Sequence, residues 1–232
     1  MVKKLQVVKN LRQLVYESVR DFVTSSNVPP GAKIDEEKLA EELGVSKTPI
    51  REALSKLAHD GIVEIIPNRG SFKATLSEDS IREIMELRDG IEGIAAYLAA
   101  RHVTPEDIKR MKDLHKPFKG AALKINLGAY VKADEEFHAI LFKLSGNSRI
   151  VQLSDTINRF NVLLREELFK DPERAKISMQ GHEEIIKALE KRDGDRAERI
   201  LKGSIRETLQ YLLTQFSRKR REDLGETQKG RR

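Results

Sequence analysis

Cysteine is absent from the sequence, which excludes disulfides, thiolate zinc sites and cysteine nucleophiles. Any metal must therefore be held by histidine and carboxylate. Long apolar runs are absent as well. No stretch approaches the roughly 20 apolar residues of a bilayer-spanning helix, and Met1-Val2-Lys3-Lys4 lacks the apolar core of a signal peptide. The expected compartment is the cytoplasm, with no membrane partner. A strong charge of one sign is missing from the parts with folding patterns: the net charge of +6 divides into +2 for residues 1–76, zero for 77–217 and +4 for 218–232. The excess sits in the tail Arg218-Lys219-Arg220-Arg221 to Arg232, which reads as disordered, a solubilising segment or a DNA-contacting arm. Charge permits a nucleic-acid partner without arguing for one.

What is present is local patterning, in a chain of 232 residues, long enough for two domains of ordinary size. An opening helix is expected over about 11–25, with Leu11, Val15, Val19 and Phe22 on one side and a break at Asn27-Val28-Pro29-Pro30-Gly31. Asp35 can cap a second helix, with Leu39 stapled back on Ile34, and Gly44 supplies the left-handed residue that ends it. Ser46 starts a third. Pro49 lies in its first turn, Ile50, Ala53, Leu54 and Leu57 form its buried stripe, and Lys47, Thr48, Arg51 and Ser55 occupy the opposite face. Two helices across so short a turn have the geometry of a helix-turn-helix whose second member enters the major groove. Beyond Gly61 the period changes to that of strands: residues 62–66 and 71–75 flank Pro67-Asn68-Arg69-Gly70, a hairpin with Arg69 at its tip. The alternative is a compact helical subdomain with a solvated charged face.

Residues 39–54, Leu-Ala-Glu-Glu-Leu-Gly-Val-Ser-Lys-Thr-Pro-Ile-Arg-Glu-Ala-Leu, with Asp60-Gly61-Ile62-Val63 and Asn68-Arg69-Gly70-Ser71-Phe72, resemble the signature of the GntR family of bacterial transcription regulators. That resemblance implies that Lys47, Thr48 and Arg51 meet base edges and phosphates and that Arg69-Gly70 reaches the adjacent minor groove. One position departs from the pattern. Many relatives carry an arginine just before the leucine that opens the first helix of the motif, where this chain has Glu37. Glu37 is accordingly given no contact role, and operator preference is expected to differ.

The first domain ends near Leu76-Ser77-Glu78-Asp79, and everything beyond is helical in pattern. Six helices are expected, over about 78–102, 105–124, 126–145, 147–169, 172–192 and 194–217, punctuated by Thr104-Pro105, Gly146-Asn147, Asp171-Pro172 and Asp193-Gly194. The chain thus reads as mainly α. Residues 1–76 would form a winged helix-turn-helix of three helices plus a β-hairpin, and 77–217 an all-α antiparallel six-helix bundle for effector binding and dimerisation. Arg88-x-x-x-Glu92, the run 95–100, Asp134-x-x-Phe137-His138 and Gly146-Asn147 resemble the effector domain of the FadR branch, of the FCD type, and six helices suit its VanR-like subgroup.

Four polar residues interrupt the apolar stripes of that bundle. Arg88 lies in the sequence Ile81, Ile84, Arg88, Ile91, Ala95, Leu98, and a guanidinium there must be paired or must serve an anion. A structural pair with an acidic residue of a neighbouring helix is one reading; the resemblance favours an arginine that holds an effector carboxylate. Asp134 and His138 fall one turn apart on one face, with His182 facing inward from a later helix, a set that can hold one divalent ion. In metal-binding members of the branch a fourth ligand, a histidine, comes from the last helix. Here Ser204 stands in that position. The resemblance thus implies a divalent metal such as Zn²⁺ or Ni²⁺ on an incomplete histidine set; the plain alternative is a buried Asp134–His138 pair beside a water-filled pocket. His59, His102 and His115 receive no role.

Two functions from different classes remain. The first is a ligand-responsive, sequence-specific regulator, a homodimer on a pseudo-palindromic operator in double-stranded DNA, acting as a repressor released by a small carboxylic acid. The second is a metal-dependent hydrolytic or metal-handling protein in which Asp134, His138 and His182 activate water. The second leaves the winged domain unexplained and lacks an evident general base, so a non-enzyme is expected.

Overall fold

The structure, a computed structural model, describes residues 3–25, 27–118 and 127–229. They form two compact units, residues 1–76 and 77–232, each described by itself below. Among the described residues no helix is long and apolar enough to cross a membrane.

The first unit begins with α1 (Lys3–Val23), which starts well before the expected position near residue 11. Its buried seam is Val15, Tyr16, Val19 and Val23, whereas Leu11 and Phe22, placed on the seam by spacing, are exposed. The seam drifts round the helix because Tyr16 turns inward, its hydroxyl donating to the buried Asp60 carboxylate at 2.7 Å. Asp35 caps α2 (Glu36–Leu43) by accepting from the backbone N–H groups of Glu37 and Lys38, and Gly44 closes it at φ +63°. α3 (Lys47–His59) buries Ile50, Ala53, Leu54 and Leu57, as its spacing requires; Ser46 has the extended backbone of a cap but makes no side-chain capping bond.

The wing holds more than a hairpin. Strands β2 (Val63–Ile66) and β3 (Gly70–Lys73) pair antiparallel, and β1 (Lys33–Ile34) adds on the other side of β3, giving the order β1-β3-β2. A two-residue strand carries no periodicity that a sequence pattern can detect. Asn68 (φ +61°) and Gly70 (φ +107°) take up the positive backbone angles of the turn.

The second unit holds, among the described residues, six α-helices: α4 (Glu78–His102), α5 (Pro105–His115), α6 (Leu127–Leu144), α7 (Ser148–Leu168), α8 (Pro172–Glu190) and α9 (Gly194–Lys229). Their starts are written in the sequence. Ser77 with Ser80, and Thr104 with Asp107, form reciprocal capping boxes, and Asn147 and Asp171 cap α7 and α8. α4 packs against α6, α7 and α9, while α8 packs against α5 and α9. Two ends differ from expectation. α5 gives way to a 3₁₀ turn at Lys116–Phe118, where Pro117 lacks the N–H an α-helix needs; residues 119–124 of the expected helix lie outside the described residues. α9 does not stop at 217 but runs to Lys229 through the basic segment expected to be disordered, whose Arg, Lys, Glu and Leu content favours helix.

The start of α9 lies hard against α4. A Cβ on Gly194 would lie 2.6 Å from the Tyr97 carbonyl oxygen, a backbone atom that cannot swing aside. Gly194→Ala is expected to destabilise the bundle by about 1–3 kcal/mol, read as a lowered urea midpoint at constant m-value. An unchanged midpoint would show that the first turn of α9 moves freely.

Candidate functional site

Two features carry chemistry, one in each unit. In the first, the cations that open α3 stand at the surface: Lys47, Thr48 and Arg51 are exposed, as is Arg69 in the turn of the wing. The Arg69 guanidinium lies 5.7 Å from the centroid of the Phe72 ring, and Gly70 beside it is half-buried. Neither α3 cation is unpaired. Lys47 Nζ lies 2.6 Å from Glu37 Oε1, and Arg51 Nε lies 2.8 Å from Glu36 Oε2. Glu36 also accepts from the Ser71 hydroxyl at 3.2 Å, so one carboxylate ties α2 to α3 and to the wing. Exposed pairs of this kind contribute about 0–1 kcal/mol, weak enough for a phosphate to displace the carboxylate. Glu37, the departure seen in the sequence, thus finds its partner in Lys47.

In the second unit the polar residues singled out from sequence converge on a small cavity of about 30 Å³, room for roughly two waters. Its wall includes Arg88, Asp134, His138, Arg165, Arg174 and His182. Asp134, His138 and His182 are all buried, and one ligand atom from each lies within 4.8 Å of the others. His138 Nε2 stands 4.0 Å and His182 Nε2 3.6 Å from the Asp134 carboxylate, both too long for hydrogen bonds. The expected alternative of a bonded Asp134–His138 pair is therefore not what forms. Asp134 bonds elsewhere: Arg165 Nε donates to Oδ2 at 2.8 Å and the Ser178 hydroxyl donates to Oδ1 at 3.0 Å.

Arg88 has a partner too, but on its own helix. Its Nε donates to Glu92 Oε1 at 2.6 Å, one turn on, where the alternative reading had looked to a neighbouring helix. Glu92 Oε2 in turn stands 2.8 Å from His138 Nδ1. Burial would raise the Glu92 pKa, but Arg88 and His138 more than reverse this and hold it far below the usual carboxylate range. Asp134 behaves alike: burial raises it, and His138, Arg165 and His182 together pull it well down. Burial lowers His182 strongly, which keeps it neutral at pH 7.

Several contributors were invisible from the sequence. His115, given no role there, is buried with Nε2 3.1 Å from His182 Nδ1, so it fixes that ring. Phe137 stacks on His182 at 3.7 Å between centroids. Arg165 and Arg174 complete the cavity wall. Arg165 Nη1 and Nη2 are buried without a hydrogen-bond partner; Arg174 donates to Glu207 and Thr208 and leaves Nε unpartnered. One weak sequence signal existed for Arg165, an arginine three to four residues before Leu168 and Phe169.

A divalent ion can be tested against this arrangement. Asp134, His138 and His182 are the right donor types; Glu92 Oε2 lies 2.8 Å from His138 Nδ1 and His115 Nε2 3.1 Å from His182 Nδ1, where outer partners of metal-bound histidines sit. The charge is wrong. Arg165 sits on one Asp134 oxygen and Ser178 on the other, and Ser204 supplies a hydroxyl where a further imidazole is needed. The residues do not fit a divalent metal while Arg165 is seated.

A winged helix-turn-helix unit followed by a helical unit with a buried cationic cavity defines a DNA-binding regulator with a sensor module. The profile of the bacterial regulatory proteins of the gntR family matches residues 11–72, and that of the FCD domain matches 83–207. The chain belongs to the GntR family, as a FadR-type transcription regulator. Among its relatives are the Nta operon transcriptional regulator of Aminobacter aminovorans, 31% identical over 83% of this chain and 90% of that one, and the HTH-type transcriptional repressor RspR of Escherichia coli K12, 27% identical over 88% and 90%. In fold the chain is similar to Escherichia coli McbR/YncC (TM-score 0.73, 19% identity, 89% of this chain and 98% of that one). A Rhodococcus sp. RHA1 chain is similar as well (TM-score 0.76, 22% identity, 88% and 98%).

Proposed function

We propose that this regulator is a sequence-specific repressor that binds a pseudo-palindromic operator as a homodimer and leaves it when a small carboxylic acid enters the cavity of the helical unit. Lys47, Thr48 and Arg51 read the major groove, and Arg69-Gly70 enters the adjacent minor groove. One observation carries the choice of effector. Arg165 presents two buried, unpartnered N–H-bearing nitrogens in a cavity that Arg88 and Arg174 also line, and a carboxylate is the ligand a planar guanidinium pairs with best. At about 30 Å³ the cavity is small for an acid of several heavy atoms, and in this reading entry spreads the helices around it. That difference between empty and filled forms is what gives an effector unequal affinity for two states. An enzyme reading fares worse: among the described lining residues Asp134 is the one carboxylate, and it is already hydrogen-bonded twice.

Selection from random DNA followed by anisotropy titration tests the proposal. A preferred inverted repeat should emerge, and one or more small carboxylic acids should weaken its binding; binding with no preferred sequence would sink the regulator reading. Arg51→Ala should weaken specific binding by about 1–3 kcal/mol and relax preference at one position per half-site. Equal affinity for all sites would remove Arg51 from the contacts.

A further inference from the structure

We infer that Arg165 is the resident cation of the buried cluster, seated on Asp134 where a divalent metal would otherwise bind, so that the pocket takes an anion directly with no metal between. The geometry is specific to this side chain. Arg165 is 2% exposed, its Nε donates to Asp134 Oδ2 at 2.8 Å, and its two Nη groups are buried without partners. A guanidinium held by Nε alone has its terminal fork free, which is the part that clasps a carboxylate or phosphate in bidentate fashion.

The neighbours fit the same assignment. Ser178 occupies the other Asp134 oxygen, and Ser204 lines the cavity with a hydroxyl, which binds an anion as a donor but holds a divalent ion poorly. Asp134 has one negative charge to share, and the permanently charged Arg165 already takes it. A metal arriving at the same carboxylate would be desolvated beside Arg165. This deepens the acid-pocket reading and rests on it only for the anion; the exclusion of metal stands on the Arg165–Asp134 contact.

Cobalt(II) is the probe for the metal half, because its visible spectrum reports coordination by imidazole and carboxylate. Full-length, chelator-treated protein is titrated as wild type, Arg165→Met and His138→Ala. The wild type should give no intense visible band at stoichiometric cobalt, whereas Arg165→Met, with Asp134 released, should bind more tightly and develop one. His138→Ala sets the baseline. A stoichiometric band in wild type that disappears in His138→Ala overturns the inference, whether or not Arg165→Met folds. For the anion half, malonate should raise the melting temperature of metal-free wild type and not that of Arg165→Lys, which keeps the charge but loses the fork. A malonate shift that survives in Arg165→Lys would overturn the assignment of the fork. Acid-driven operator release by a wild type that also binds cobalt tightly would refute the resident cation and leave the repressor reading standing. Cobalt exclusion without any acid response would do the reverse.

Discussion

Glu92→Ala is expected to lower the stability of the helical unit by about 3–5 kcal/mol, a large part of the roughly 5–15 kcal/mol that a domain possesses. Glu92 is 2% exposed and stands between Arg88 and His138, bonding to the first at 2.6 Å and lying 2.8 Å from the second. Its removal leaves the Arg88 guanidinium buried, with the Met85 sulfur 3.7 Å from Nη1 as its remaining hydrogen-bond contact among the described residues. Glu92→Gln keeps the shape and one acceptor but not the charge, and should fall between wild type and alanine. Acid adds a second readout. Glu92 and Asp134 have folded pKa values below their unfolded ones, so the stability they contribute is complete above the unfolded carboxylate range near pH ~4 and is lost as pH falls through the folded values. His182 and His115, depressed by burial, act with the same sign but from a higher starting point: loss begins as pH falls below the unfolded histidine value of about 6.5. Urea midpoints should therefore decline in two stages, and Glu92→Gln should flatten only the lower one. A cost below about 1 kcal/mol for Glu92→Ala would mean that water reaches Arg88 through the cavity and solvates it.

How far such a site can be read from sequence depends on whether its signal is local. Helix starts were legible because caps are short-range chemistry: Asp35, Ser77, Thr104, Asn147 and Asp171 each begin a helix within a residue of the expected point. Asp134, His138 and His182 were legible as inward-facing residues because helical spacing fixes faces. What spacing cannot give is which inward groups meet. Arg165 comes from α7 to Asp134 on α6, and His115 from α5 to His182 on α8, contacts 31 and 67 residues apart. His115 also ends its helix, where periodicity offers no stripe to place it on. The partner of Arg88 was missed for the opposite reason. A partner on a neighbouring helix was the natural alternative, yet the nearest acid was Glu92, four residues along the same helix and part of the very motif that marked the position. The resemblance supplied the ligand positions of a metal site; the structure adds a guanidinium, Arg165, on one of them, Asp134.

The second large effect is expected from a residue that cannot touch DNA. Leu57→Ala should cost the winged unit about 2–5 kcal/mol, since Leu57 is fully buried in α3 and the helix packs there against α1, α2 and β2. A unit of 76 residues buries a smaller share of its surface than a larger domain does, so a loss of this size takes it close to its unfolding midpoint. Operator binding should then drop further than in Arg51→Ala, although no contact with base or phosphate has been removed. The two variants separate by their other properties. Arg51→Ala should keep a wild-type melting profile, because the pair it breaks with Glu36 is exposed on the arginine side and worth little, while Leu57→Ala should lose a low-temperature transition and leave that of the helical unit in place. Calorimetry with anisotropy on the same samples makes the distinction. If Leu57→Ala instead lowers a single transition, the two units unfold together, and the energy of an occupied cavity can reach the winged unit through shared stability as well as through a change of arrangement. If the transitions separate, release of the operator must come from rearrangement alone, and the spreading of helices around Arg88, Arg165 and Arg174 becomes the event that drives it.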